Sequence, residues 1–143
     1  MKIFKKLSFI FTCILIVTGC SAQNTDLTCS KTFDENDKQI FNYSFQDGKA
    51  YLLEWTINIP ANDIVDATTY ENEFNKINTV NGCTGRFTKN DDGSHTTNQV
   101  CNVNEMSDSD IKDVFMNDRD MLAISRKDII KSYKQDEGMK CAK

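Results

Sequence analysis

The sequence predicts an α+β domain in which helices pack on one face of an antiparallel sheet. Three observations lead to this fold class. The first half alternates apolar and polar residues between turn signals, which is typical of strands. A helically spaced segment and two capping boxes follow in the second half. Four cysteines remain after an export segment, and an even number in an exported domain indicates two disulfides.

The N-terminal segment has the organisation of a lipoprotein signal. Residues 1–6 (MKIFKK) are basic, and the apolar run that follows spans roughly a dozen residues, too short to cross a bilayer. The run ends in Val17-Thr18-Gly19-Cys20, which resembles the lipobox, where a diacylglycerol is attached to the cysteine sulfur and a signal peptidase cuts before it. We expect residues 1–19 to be removed and Cys20 to carry two acyl chains, enough for stable anchoring. The alternative is a conventional signal cleaved near residues 21–23.

This processing sets the domain organisation and the charge. Residues 20–26 become a short lipidated tether, and residues 27–143 form a single extracytoplasmic domain at the outer face of the bacterial cell membrane. Loss of Lys2, Lys5 and Lys6 changes the formal charge from −4 to −7. An acidic domain repels nucleic acid and anionic lipid headgroups, so the predicted membrane contact is the diacylglyceryl anchor.

The first half predicts a three-stranded meander. Residues 27–33 form a short strand that ends at the turn-forming cluster 34–37. A second strand, Ile40–Phe45, alternates, and residues 46–49 (QDGK) predict a tight turn into a third strand that ends at Pro60. One face of the meander is aromatic, and its members are Phe41, Tyr43, Phe45, Tyr51 and Trp55. We interpret this stripe as a core face, with a ligand groove as the alternative.

A helix over residues 62–81 is predicted to cover the aromatic face. Asn62 or Asp63 can cap its start, and Gly82 suits the left-handed conformation that follows a helix. The apolar residues at helical spacing are Ala67, Tyr70, Phe74, Ile77 and Val80.

A polar hairpin follows, and its register predicts the disulfides. With a three-residue loop at Asp91–Gly93, each facing pair has residue numbers that add up to the same value, so Cys83 faces Cys101. We therefore pair Cys83 with Cys101, which leaves Cys29 with Cys141. The hairpin, which is almost entirely polar, is expected to extend the sheet at an edge.

Two short helices complete the chain. Each begins with a capping box, at Ser107–Asp110 and at Ser125–Asp128, followed by apolar residues at helical spacing.

Candidate catalytic and metal-binding residues are few. His95, the one histidine, lies just past a loop tip and is expected to be an exposed polar residue. The thiols lack the spacing of a zinc site. Three acidic groups, at 34–37, at 90–93 and at Asp108/Asp110/Asp113, are interpreted as turns and caps because none matches a calcium loop. We therefore predict no catalytic residue, no metal and no cofactor.

The arrangement resembles the YehR-like family of small bacterial lipoproteins, whose function is uncharacterised. The resemblance lies in the lipobox cysteine, the Leu27–Lys31 segment after it, the strand–helix order, the cysteine-bearing hairpin and a cysteine near the C-terminus. It implies an α+β fold, a membrane-anchored location and no known enzymatic site.

Three functions remain open from the sequence. The leading hypothesis is a non-enzymatic, membrane-anchored domain that binds an envelope protein or ligand. The second is a carboxylate-dependent hydrolase of cell-wall or surface glycans, which requires a cleft with two facing acids. The third is a structural envelope component with a large, self-complementary surface.

Overall fold

The computed structural model describes residues 27–33, 37–64 and 66–142. Its centre is a six-stranded antiparallel sheet in the order β4-β5-β3-β2-β1-β6. The strands are β1 (Leu27–Thr32), β2 (Lys38–Gln46), β3 (Lys49–Ile59), β4 (Cys83–Lys89), β5 (His95–Asn102) and β6 (Lys140–Ala142). The helices are α1 (Ala67–Ile77), α2 (Asp108–Phe115), α3 (Arg119–Leu122) and α4 (Arg126–Tyr133). They pack on one face, so the predicted α+β class is confirmed.

The meander forms as predicted, with one irregularity. Phe41 pairs with Trp55 across β2 and β3, and Asp47 and Gly48 form the turn with positive φ angles of 52° and 76°. A register shift after Ser44 then places Ala50 opposite Phe45, and both are buried at 4% exposure. The alternation of apolar and polar residues predicts Tyr51 on the core face, but the register shift places Ala50 there instead.

The hairpin register and both disulfides are confirmed. Cys83 pairs with Cys101 and Lys89 with His95, as a three-residue loop requires. The disulfides join Cys83 to Cys101 and Cys29 to Cys141. Strand β5 pairs with β3 along its length, so the hairpin extends the sheet and β4 lies at its edge.

Helix α1 differs from the prediction in both ends and in what it covers. It ends at Ile77 with Asn78 as its C-cap, four residues before the end predicted at residue 81. Asn62 and Asp63 belong to a short 3₁₀ turn, and Asp66 caps the helix by accepting from the Thr68 N–H. The helix packs on β4, where Phe74 lies over Gly85, rather than on the aromatic face of the meander. The physical reason is that Gly85 lacks a side chain, which lets the Phe74 ring approach the sheet closely.

The C-terminal region covers the meander instead. Ser107 and Ser125 each accept a hydrogen bond from the backbone N–H three residues later, which confirms both serines as the predicted helix caps. Each serine hydroxyl also donates to the aspartate carboxylate at that position. The buried side chains Ile111 and Ile129 anchor α2 and α4 in the core with Leu27. Helix α3 and strand β6 are additional elements that the sequence pattern did not predict. Among the described helices, none is long and apolar enough to cross a bilayer.

Candidate functional site

A groove lined mainly by aromatic and aliphatic side chains lies between the meander and the C-terminal helices. It encloses about 250 Å³, slightly below the roughly 300 Å³ at which typical ligand pockets begin. We call it the aromatic groove. Its sheet side is lined by Phe41, Tyr43, Leu53 and Trp55, and its helix side by Phe115, Leu122, Ile124 and Tyr133.

The aromatic groove has a buried floor and half-exposed walls. Leu53 is only 6% exposed, whereas Phe41 and Trp55 beside it remain half-buried. Trp55 meets Phe115 edge to face at a centroid distance of 5.6 Å, and Phe41 lies 5.8 Å from Tyr133. The rings are therefore held in place by one another, while their outer surfaces remain available to a ligand.

Two tyrosine hydroxyls form the polar part of the groove. The Tyr43 and Tyr133 oxygens lie 2.5 Å apart in a hydrogen bond. Burial, together with this bond, raises the pKa of Tyr43 well above its usual value, and burial also raises the pKa of Tyr133. Both hydroxyls are therefore neutral at physiological pH. Because one proton lies between the two oxygens, the other remains available to donate to an acceptor on a ligand.

The acid that borders the groove directs its carboxylate elsewhere. Glu54 lies between Leu53 and Trp55 in β3, so strand alternation places its side chain on the opposite face of the sheet. There it accepts hydrogen bonds from Asn42 at 3.1 Å and from Asn98 at 2.9 Å. The groove therefore lacks the two facing acids that the hydrolase hypothesis requires, and that hypothesis gains no specific support from this site.

The prediction for His95 is wrong. Its side chain is only 7% exposed and stacks on Phe87 at a centroid distance of 4.7 Å, and Tyr70 also stacks on the Phe87 ring. The reason is the strand register, which places His95 on the helix-covered face opposite Ile59. Its Nδ1 has no hydrogen-bond partner in the described structure. The described residues place neither a nucleophile nor an orienting carboxylate on this nitrogen.

The acidic groups act in turns and caps where the structure describes them. Asp92 accepts from the Ser94 N–H and hydroxyl, which lowers the pKa of the Asp92 carboxyl. Asp108 pairs with Arg119 at 2.7 Å. Residues 34–36 lie outside the described residues. Within the described ranges, no group of three or more potential metal ligands comes together.

The structure describes some of the site residues predicted from the sequence and leaves others outside the described residues. Cys20, the expected lipid attachment point, lies outside the described residues, as does the whole of 1–26. Phe41, Tyr43 and Trp55 of the predicted aromatic stripe do meet in the groove, whereas Tyr51 lies at the bulge and lines a separate, more polar depression. Sequence reasoning missed the helix side of the groove. Of its members, Phe115 and Tyr133 are among the apolar residues at helical spacing that follow the two predicted capping boxes, and nothing local indicated what they pack against.

Comparison with known proteins supports the fold and little else. No family model matches the chain, and no curated protein matches it. Among solved structures, the chain is similar to a protein from Streptococcus pneumoniae TIGR4 determined by NMR. The TM-score is 0.57 at 10% sequence identity, over 85% of this chain and 88% of that one. At this identity the similarity shows a shared fold alone.

Proposed function

We propose that the chain is a lipid-anchored extracytoplasmic lipoprotein whose domain binds an apolar ligand in the aromatic groove. The observation that carries the proposal is the groove itself, a half-open apolar cavity with one pair of hydroxyls. The anchored location is supported by Val17–Cys20 and by two disulfides, which persist in oxidising compartments. The resemblance to the YehR-like family agrees with this location.

The lining of the groove favours a small apolar molecule or the end of an acyl chain. Burial of apolar surface contributes about 25 cal/mol per Å². Apart from Glu54 at its border, the residues that line the groove are aromatic or aliphatic. The neutral Tyr43–Tyr133 pair would bind a single polar group of the ligand and so fix its orientation. Such a site suits recognition rather than bond cleavage, and we therefore assign a non-enzymatic binding role.

Trp55 allows a direct test of ligand binding. It is the single tryptophan of the chain and lines the groove, so its fluorescence reports on occupancy. We expect a dansyl-labelled undecanoic acid to quench Trp55 by energy transfer with saturable binding. Leu122→Phe should fill the groove and weaken binding by about tenfold, the effect of losing about 1.4 kcal/mol of binding free energy.

The matched control adds the same side chain on the other face of the sheet. Ile40 pairs with Thr56 on that face, outside the groove, so Ile40→Phe should leave probe binding unchanged. Equal weakening by both variants, or no saturable binding to the unsubstituted chain, would contradict the proposed site.

The anchor requires a separate experiment on the full chain. Cys20→Ala should either release the protein from the membrane fraction or block its processing, because the alanine offers no sulfur for the diacylglycerol. Full membrane retention of a correctly cleaved Cys20→Ala protein would contradict the anchor.

A further inference from the structure

We propose that the exposed lysine face of α4 docks the anchored domain onto the anionic phospholipid surface of its own membrane. This inference rests on the proposed lipid anchor, to which it adds a second, electrostatic contact. It concerns Lys127, Lys131 and Lys134, which we call the lysine face.

The helical spacing places these three lysines together and away from the core. Lys127, Lys131 and Lys134 are separated by four and three residues, the spacing that gives one helix face, and all three are exposed. Ile129 and Tyr133 point towards the sheet from the other side of α4. Between the two faces, Ile130 is half-buried in a shallow depression of about 510 Å³ that the lysines border. A cationic rim around an apolar floor matches the headgroup and upper acyl region of a phospholipid.

The three lysines of the lysine face make no ion pair within the described chain. The two ion pairs there are Lys31–Asp136 and Arg119–Asp108, neither of which involves the lysine face. The one acid within α4, Asp128, accepts from the Ser125 hydroxyl at the helix cap. The positive charge of the three lysines is therefore directed at solvent and available to an anionic surface.

The tether enters the domain at the end of the sheet where α4 begins. Leu27, the first described residue, pairs with Tyr43 of β2. Two residues further along β2, Phe45 pairs with Ala50 of β3. The Ala50 N–H donates to the Ile124 carbonyl at 3.0 Å, just before the first turn of α4. Cys20 precedes Leu27 by seven residues, a span of at most about 25 Å when fully extended. In our proposal the lipid anchor therefore keeps this end of the sheet within about 25 Å of the membrane.

The net negative charge of the domain opposes contact with an anionic surface, as the sequence indicates, so the docking depends on how the charge is distributed. The lipid-bearing domain has a formal charge of −7, obtained by removing three lysines from the −4 of the whole chain. Part of the negative charge lies on α1 and the hairpin loop, over the edge of the sheet opposite β1. The acids there are Asp66, Glu71, Glu73, Asp91 and Asp92. An anionic surface would repel this edge while it attracts the lysine face, which orients the domain.

The test uses residues 21–143 without the lipid, so that electrostatic docking is measured alone. All six strands and both disulfides lie within residues 27–142, so removal of the lipid leaves the core complete. Co-sedimentation is measured with vesicles of equal parts phosphatidylglycerol and phosphatidylcholine, and with vesicles of phosphatidylcholine alone. We expect binding to the anionic vesicles that weakens with added salt.

Matched variants then locate the contact. Replacing the three lysines of the lysine face by glutamine should weaken binding about fivefold per lysine and about a hundredfold in all. The control replaces three exposed lysines elsewhere, Lys76, Lys89 and Lys112, which changes the net charge by the same amount. The inference would be overturned if both variants lost binding equally, or if the protein bound both vesicle types equally. It would also be overturned if the protein bound soluble polyphosphate but not anionic vesicles. Fractionation of the full chain tests the anchor independently, so either proposal can fail while the other survives.

Discussion

The disulfide between Cys29 and Cys141 gives the sharpest test of how the fold is stabilised. Cys29 and Cys141 face each other at the middle of the pairing between β1 and β6, and their bond closes a loop of 112 residues. The Cys83–Cys101 bond closes a loop of 18 residues. We compare two double variants, Cys29→Ala/Cys141→Ala and Cys83→Ala/Cys101→Ala. Both remove a pair of largely buried sulfurs, so the packing losses are similar and loop length is the main difference.

The magnitudes follow from the entropy of the unfolded chain. A closed loop of about 100 residues stabilises by about 4.7 kcal/mol and one of about 15 residues by about 3 kcal/mol. Scaled to the two loops here, the logarithmic dependence on length gives a difference of about 1.6 kcal/mol. Loss of the Cys29–Cys141 bond should therefore cost more free energy of unfolding, by about that amount.

Urea unfolding followed by Trp55 fluorescence measures this difference, provided that the transition remains two-state. The competing possibility is that the three-residue strand β6 detaches locally while the rest of the domain remains folded. The Cys29–Cys141 variant would then lose less stability than the hairpin variant. That order, or equal losses, would refute the loop-entropy reasoning.

Three further predictions follow from individual residues. Gly85→Ala should destabilise the domain by about 1–3 kcal/mol in urea unfolding, because the new Cβ would lie 2.6 Å from the Phe74 ring. Met116→Gly should raise the free energy of unfolding by about 0.5 kcal/mol. Met116 ends α2 in a left-handed conformation with φ 55°, which favours glycine, and its side chain is 89% exposed. A lower urea midpoint for the variant would contradict this. The raised pKa values of Tyr43 and Tyr133 predict stability that is fully present below pH 10, the ordinary tyrosine pKa, and falls as the pH rises above it. Tyr133→Phe should make that fall shallower in alkaline unfolding curves.

The elements that sequence reasoning predicted well are those set by short-range chemistry. The Asp47–Gly48 turn, the two serine helix caps and the three-residue hairpin loop each depend on residues a few positions apart. The hairpin register then specified one disulfide, and elimination specified the other. Each of these inferences needs no knowledge of how distant segments pack.

The wrong predictions concern contacts between distant segments. The exposure of His95 depended on which element covers β5, and the hairpin's polar sequence gave no sign that α1 would lie over it. The placement of α1 depended on Gly85, whose missing side chain admits Phe74. Glycine in a strand indicates a close approach but does not say what approaches.

The groove exists because the strands of the meander are longer than the helices that remain to cover them. Helix α1, the longest of the four at 11 residues, lies over the hairpin, so the meander is left to α2, α3 and α4, which have eight, four and eight residues. At 1.5 Å per residue these helices extend about 12, 6 and 12 Å, whereas the nine and eleven residues of β2 and β3 extend about 30 Å or more. Three such short helices cannot close over the aromatic stripe, and Phe41 and Trp55 remain half-exposed between them. In our proposal an apolar ligand completes this part of the core, because it would bury the same ring surfaces that a longer helix would have covered.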